Sequence, residues 1–159
     1  METKDYSLIF VLNDDNVLLG MKKRGFGEGK LNGFGGKWDA EDKTIEDCVV
    51  RELQEESGLV VDKKNLCRHG YIVFNMKNSK KIMNVHVYSV CEDQCAGELV
   101  ETDEMRPLWV DRKALPFAQM WPDDKYWLHN VMEGRKFIAR FDYEDDNTIV
   151  DYSVDIVGN

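Results

Sequence analysis

The sequence predicts an α+β domain in which one mixed sheet is sandwiched between helices, an α-β-α arrangement. Three observations carry this. Apolar, β-branched runs recur at residues 6–12, 17–21, 71–76, 82–90, 106–110, 137–143 and 148–154. One segment, residues 45–57, has helical periodicity with start and stop signals at both ends. Between the second run and that helix lies a stretch too rich in glycine to be regular: Gly25, Gly27, Gly29, Gly33, Gly35 and Gly36.

Taken in order, residues 6–12 form a strand closed by the turn signal Asn13-Asp14-Asp15-Asn16, and residues 17–21 return as a second. The glycine-rich stretch is a shaped loop. Thr44 reads as a helix N-cap, with Asp47 three residues on as a weak capping-box partner. Gly58 suits the left-handed position that ends a helix, and Leu59 supplies the apolar contact that follows it. The next two strands are joined by Lys77-Asn78-Ser79-Lys80-Lys81. Pro122 opens a second helix to about residue 133, with Trp127, Leu128 and Val131 as its buried stripe. The last two strands form a hairpin around Asp145-Asp146-Asn147.

The 159 residues suffice for a single domain, 1–159, with a real core, and 43% hydrophobic against 32% charged places the chain with globular proteins. A net charge of -9 argues against a nucleic-acid polymer as partner, since a duplex binder needs a basic face. A small polyphosphate stays open, because a local basic patch or a metal can meet its charge. Cys48, Cys67, Cys91 and Cys95 have no Cys-x-x-Cys spacing, and reduced thiols in a cytosolic protein are expected. His69, His86 and His129 lack metal-ligand spacing, and His86 is expected to be a packed or hydrogen-bonded strand residue. The first residues have no signal core, and no apolar run reaches membrane-spanning length. A monomer without membrane contact is expected, in the cytoplasm or acting on a nuclear or mitochondrial pool.

The helix at 45–57 concentrates the chemistry. At about 100° per residue, Glu52, Glu55 and Glu56 fall within an arc of about 100°, overlapping the apolar direction of Ile45, Cys48, Val49 and Leu53. Gln54, Asp47 and Arg51 point elsewhere. Three carboxylates turned toward the protein body need a cation. Oxygen-only ligands suit Mg²⁺, with Mn²⁺ as the alternative.

Gly36 and Arg51-Glu52-Leu53-Gln54-Glu55-Glu56-Ser57-Gly58-Leu59 resemble the Nudix box, Gly-x5-Glu-x7-Arg-Glu-apolar-x-Glu-Glu-x-Gly-apolar. The middle departs: Asp42 stands where the pattern has Glu, with one extra residue before Arg51, or Lys43 takes that place if the loop absorbs the extra residue. Residues 20–27, 32–37, 103–107, 120–124 and 148–152 are similar to the animal branch of the Nudix hydrolase family that hydrolyses oxidised purine nucleoside triphosphates. The resemblance covers nearly the whole chain and implies a Nudix fold.

It further implies that Glu52, Glu55 and Glu56 are catalytic and hold divalent ions with the Gly36 carbonyl and Glu104. Lys22 and Lys37 would balance phosphate charge, and the products would be the monophosphate and pyrophosphate. The nucleotide pocket would comprise Ser7 (where the family has Thr), Phe26, Asn32, Phe34, Gly35, Gly36, Phe74, Met83, Trp121, Asp123 and Asp124. Two adjacent acids in an apolar pocket would share a proton, one donating and one accepting, and so read both 8-oxoguanine and 2-oxoadenine. The alternatives are a Nudix enzyme for methylated purine or dinucleoside polyphosphate substrates, or a non-catalytic nucleotide-binding module.

Overall fold

Alternation along the first strand sets the layers. In the computed structural model, which describes residues 2–158, β1 (Glu2–Leu12) sends Leu8 and Phe10 into one core and Ile9 and Val11 into another. Successive side chains leave a strand on opposite faces, so a strand buried on both reads as an unbroken apolar run. β2 (Asn16–Lys22) repeats the division, with Val17 and Leu19 on one side and Leu18 on the other.

The chain continues through β3 (Leu31–Asn32), α1 (Ile45–Ser57), β4 (Leu59–Val61), β5 (Cys67–Met76), β6 (Lys81–Cys91), β7 (Cys95–Gly97), β8 (Met105–Asp111), α2 (Asp124–Met132), β9 (Phe137–Asp145) and β10 (Thr148–Ile156). The main sheet runs β10-β9-β5-β6-β1-β2-β3, with β8 also on β2, and β4 pairs with β7 apart from it. β1 lies parallel to β6 and β5 parallel to β9, while the other pairs are antiparallel, so the sheet is mixed as expected.

Helix α1 covers the Ile9 face through Val49 and Leu53, and α2 covers the Leu8 face through Trp127, Leu128 and Val131. Each of these side chains contributes about 1.5–3 kcal/mol by leaving water. Thr44 and Asp47 form the reciprocal capping box, and Gly58 closes α1 at φ 82° with its N–H on the Gln54 carbonyl. A side chain at Gly58 would also strike the Glu98 carbonyl, 2.3 Å from a Cβ there.

One departure from regular pairing makes the site. β1 and β2 pair only at Val11–Leu18 and Leu12–Val17, then part. Residues 34–37 fill the gap. Phe34 and Ile9 exchange N–H···O bonds of 2.7 and 3.0 Å, and the Ser7 N–H donates to the Gly36 carbonyl at 2.8 Å. No helix among the described residues is long and apolar enough to cross a membrane, and all four cysteines are free.

Candidate active site

The gap-filling loop lies against β1 because two of its residues lack side chains. A Cβ at Gly35 would stand 1.9 Å from the Ser7 carbonyl oxygen, and one at Gly36 would stand 2.1 Å from Glu52 Oε2. The Gly36 backbone therefore abuts the carboxylate of α1. From the same loop the Gly35 N–H donates to Glu56 Oε1 at 2.8 Å.

The three glutamates divide. Glu56 is 5% exposed, and burial raises its carboxyl to about 7 against the opposing Gly35 hydrogen bond, with the Glu52 charge adding to the rise. The Glu52 side chain is 15% exposed, and its carboxyl is also raised, mainly by desolvation that outweighs the Arg51 contact. Glu55 corrects the expectation: its side chain is 58% exposed and meets Arg51 at 3.2 Å on the solvent side. It marks one end of the arc, and the inward face of α1 extends only from Glu52 round to Glu56.

Arg51 does not point away. Its guanidinium donates to Asp42 Oδ1 and Oδ2 at 2.9 and 2.8 Å and to Glu52 Oε1 at 2.7 Å. Asp42 is buried, and Arg51 holds its carboxyl below the ordinary aspartate value. Asp42 rather than the exposed Lys43 thus fills the acidic position of the motif, and the extra residue is absorbed after it. Glu104 stands near Glu56 but is paired with Lys22 at 3.2 Å and Arg24 at 2.8 Å, which lower its carboxyl.

Beside Glu56 opens a cavity of about 290 Å³. Its lining includes the expected Ser7, Lys22, Phe26, Asn32, Gly35, Gly36, Phe74, Met83, Trp121, Asp123 and Asp124. Two expected residues are elsewhere. Phe34 is fully buried in the core under α1, because its pairing with Ile9 turns it to the opposite face of the sheet. Lys37 pairs with Tyr6, which lines the cavity, but is not itself in the lining. Sequence reasoning missed Tyr143, Lys30, Lys81, Met76 and Trp127, which line it. Of these only Trp127 had a local signal, and periodicity assigned it to the core.

The two acids at the cavity's end are each 2% exposed. Asp123 occupies the N-cap position of α2 but makes no side-chain cap bond. It accepts instead from Trp127 Nε1 at 2.7 Å and from the Tyr143 hydroxyl. Burial raises its carboxyl, and those two donors oppose the rise by favouring the ionised form. Asp124 has no donor on Oδ2, and burial followed by the Asp123 charge pushes it well above the ordinary value. Of the two, Asp124 is thus pushed further toward its protonated form, beside an Asp123 whose two donors favour the ionised form. Phe26 stacks on Trp121 with ring centres 4.9 Å apart, at the side of the cavity.

A hard divalent cation fits the inner face of α1. Two buried carboxylates, Glu52 and Glu56, are both held above their ordinary values by desolvation, and the donors are all oxygen. Among the described residues no three His, Cys, Asp or Glu side chains converge to hold an ion by themselves. The Gly36 carbonyl, which accepts the Ser7 N–H at 2.8 Å and longer contacts from the Ser7 hydroxyl (3.4 Å) and the Cys48 thiol (3.7 Å), offers a further oxygen to such a set.

The layered fold, the Gly36 loop and the glutamate-bearing helix define a Nudix domain. The model of that domain matches residues 3–131, and the chain belongs to this family of hydrolases, which use a divalent metal. Among solved structures, a MutT protein from Bacillus halodurans superposes with a TM-score of 0.81 at 24% identity, covering 96% of this chain and 97% of that one. Among curated relatives, the oxidized purine nucleoside triphosphate hydrolase of Mus musculus is 48% identical over 149 residues, 94% of this chain and 92% of its own. The protein of the same name from Danio rerio is 43% identical over 155 residues, 98% of this chain and 96% of its own.

Proposed function

We propose that this protein hydrolyses oxidised purine nucleoside triphosphates, 8-oxo-dGTP and 2-oxo-dATP among them, to the monophosphate and pyrophosphate, with Mg²⁺ as its ion. The observation that carries the reading is the pair of adjacent buried carboxyls, Asp123 held by two donors and Asp124 with an unpaired Oδ2, in a cavity that Glu56 also lines. In this reading Asp124 carries the proton and Asp123 the charge. The acid O–H faces a carbonyl of the purine edge, and the carboxylate takes an N–H. The neighbouring Asn32 amide, which can donate and accept, admits the reversed edge. Trp121, Phe74 and Met83 wall the base.

Glu52 and Glu56 would hold the ion, with Glu55 reaching in from the solvent side and the Gly36 carbonyl completing the set. Once bound, the ion neutralises the polyphosphate and lowers the pKa of water. Arg51, fixed by Asp42, orients Glu52. Glu56 lines the cavity, and Glu52 does not; we therefore assign proton abstraction from the attacking water to Glu56. The hydroxide joins phosphorus, the bridge between the α and β phosphates breaks, and Lys22 at the cavity wall meets the charge that develops on the leaving pyrophosphate. The substrate pool is cytosolic in this reading, and the protein acts as a monomer.

A turnover panel tests it. With Mg²⁺, 8-oxo-dGTP and 2-oxo-dATP are expected to exceed dGTP, dATP and O6-methyl-dGTP in kcat/KM, and chelation abolishes all turnover. Equal efficiency on dGTP and 8-oxo-dGTP removes the assignment.

A further inference from the structure

The register of β1 and β6 carries the floor of the cavity past its open end onto a set of amines. These strands run parallel with Glu2 opposite Lys81, Lys4 opposite Met83 and Tyr6 opposite Val85, and Lys37 bridges Tyr6 from the other side. Alternate positions share a face. Glu2, Lys4, Lys37 and Lys81 therefore stand on the face of Tyr6, Met83 and Val85, which line the cavity. Lys81 lines it too, with Nζ 5.8 Å from the centre of the Tyr6 ring and 5.6 Å from that of Phe26.

The charge of this set is unbalanced. Lys4 Nζ lies 2.6 Å from Glu2 Oε1, and among the described residues Lys37 and Lys81 have no ion pair. The Lys4 ammonium holds the Lys37 amine below the ordinary lysine value. Glu2 is lowered first by Lys4, then by Lys37 and Lys81, so one carboxylate serves three ammonium groups. Its side chain is 66% exposed and free to leave. In a chain of net charge -9, such a concentration beside a nucleotide pocket calls for a ligand more anionic than Glu2.

We propose that Lys4, Lys37 and Lys81 form a phosphate-binding rim at the open end of the pocket. The rim takes a phosphoryl group of the bound nucleotide and releases Glu2, its resident carboxylate. This rests on the nucleotide reading above, which supplies an occupant for the pocket. Two phosphoryl groups have the required chemistry: the far end of the 5′ polyphosphate chain and a phosphate on the 3′ oxygen.

Titration calorimetry in EDTA separates them, using dGMP, dGDP, dGTP and deoxyguanosine 3′,5′-bisphosphate, with the 8-oxo form of each 5′ nucleotide. At low salt, Lys81→Met and Lys4→Gln are expected to weaken the engaged nucleotide by about three- to tenfold, an effect that shrinks in about 0.5 M salt. Lys81→Arg keeps the charge and should restore binding. Glu2→Gln removes the competitor and should tighten binding by about two- to fivefold, a sign that no merely structural role gives. A loss confined to dGTP assigns the rim to the end of the 5′ chain, and a loss confined to the bisphosphate assigns it to a 3′-phosphate. Wild-type affinity in the lysine variants, uniform loss across all nucleotides, or no tightening in Glu2→Gln overturns the proposal. If oxidised and normal bases bind alike while the phosphate dependence holds, the base preference fails and the rim stands.

Discussion

Replacing Glu56 with Gln should make the metal-free protein more stable while abolishing its turnover. Glu56 is 5% exposed, and its carboxyl is lifted by burial from an ordinary 4.5 to about 7. A raised carboxyl means that the folded state binds the proton more tightly than the unfolded chain does. The folded state is therefore favoured most at low pH, and that advantage is lost as pH rises from 4.5 through 7. Above pH 7 the buried charge costs about 3 kcal/mol. Gln keeps an oxygen for the Gly35 N–H, 2.8 Å from Glu56 Oε1, and carries no charge. Urea unfolding in EDTA should show Glu56→Gln more stable than wild type by about 2–3 kcal/mol at pH 8, with little difference at pH 5. Adding Mg²⁺ should stabilise the wild type and not the variant. A variant less stable at pH 8, or a difference independent of pH, would refute the claim that desolvation dominates this site.

Four other substitutions probe its neighbours. Gly36→Ala places a Cβ 2.1 Å from Glu52 Oε2, and kcat should fall about 100-fold or more, with unfolding changed by only about 1–3 kcal/mol. Arg51→Lys loses the two-pronged grip on Asp42, which should cost about 1–3 kcal/mol in denaturation and raise the metal concentration for half-maximal rate. Asp124→Asn cannot change role by protonation, so the ratio of kcat/KM for 8-oxo-dGTP to 2-oxo-dATP should shift. Asp123→Asn should in addition destabilise by about 1–3 kcal/mol, since an amide nitrogen turned to Trp127 or Tyr143 meets another donor. Unchanged selectivity in both would make the acids structural.

Elements with their own periodicity or caps were legible in the sequence. Helix α1 was predicted with both its capping residues, and the paired runs later in the chain became β5, β6, β9 and β10. Strand β1 begins at Glu2 rather than at residue 6, because its polar residues 2–5 are held by parallel pairing to β6 that no local pattern announces. The same applies to β3, β4 and β7, which have two or three residues each and exist only as partners. In the site, Glu52 and Glu56 were found because one helix sets their spacing. Phe34 was misplaced because composition marks a loop but not which way each residue in it faces. Lys81 and Tyr143 reach the cavity from strands distant in sequence, so only the sheet order brings them there.

The parting of β1 from β2 has a consequence for how this chain tolerates change in length. Residues 34–37 are stitched to β1 by backbone bonds at Ser7 and Ile9, so their place is fixed by the sheet and not by the distance to α1. The segment from 39 to 43 then works as slack: it is mostly exposed and anchored at Asp42, so added residues bulge outward without moving the Gly36 carbonyl. An extra residue upstream, between 33 and 36, has no such outlet and would slide the carbonyl along the strand, away from the glutamates that it must face.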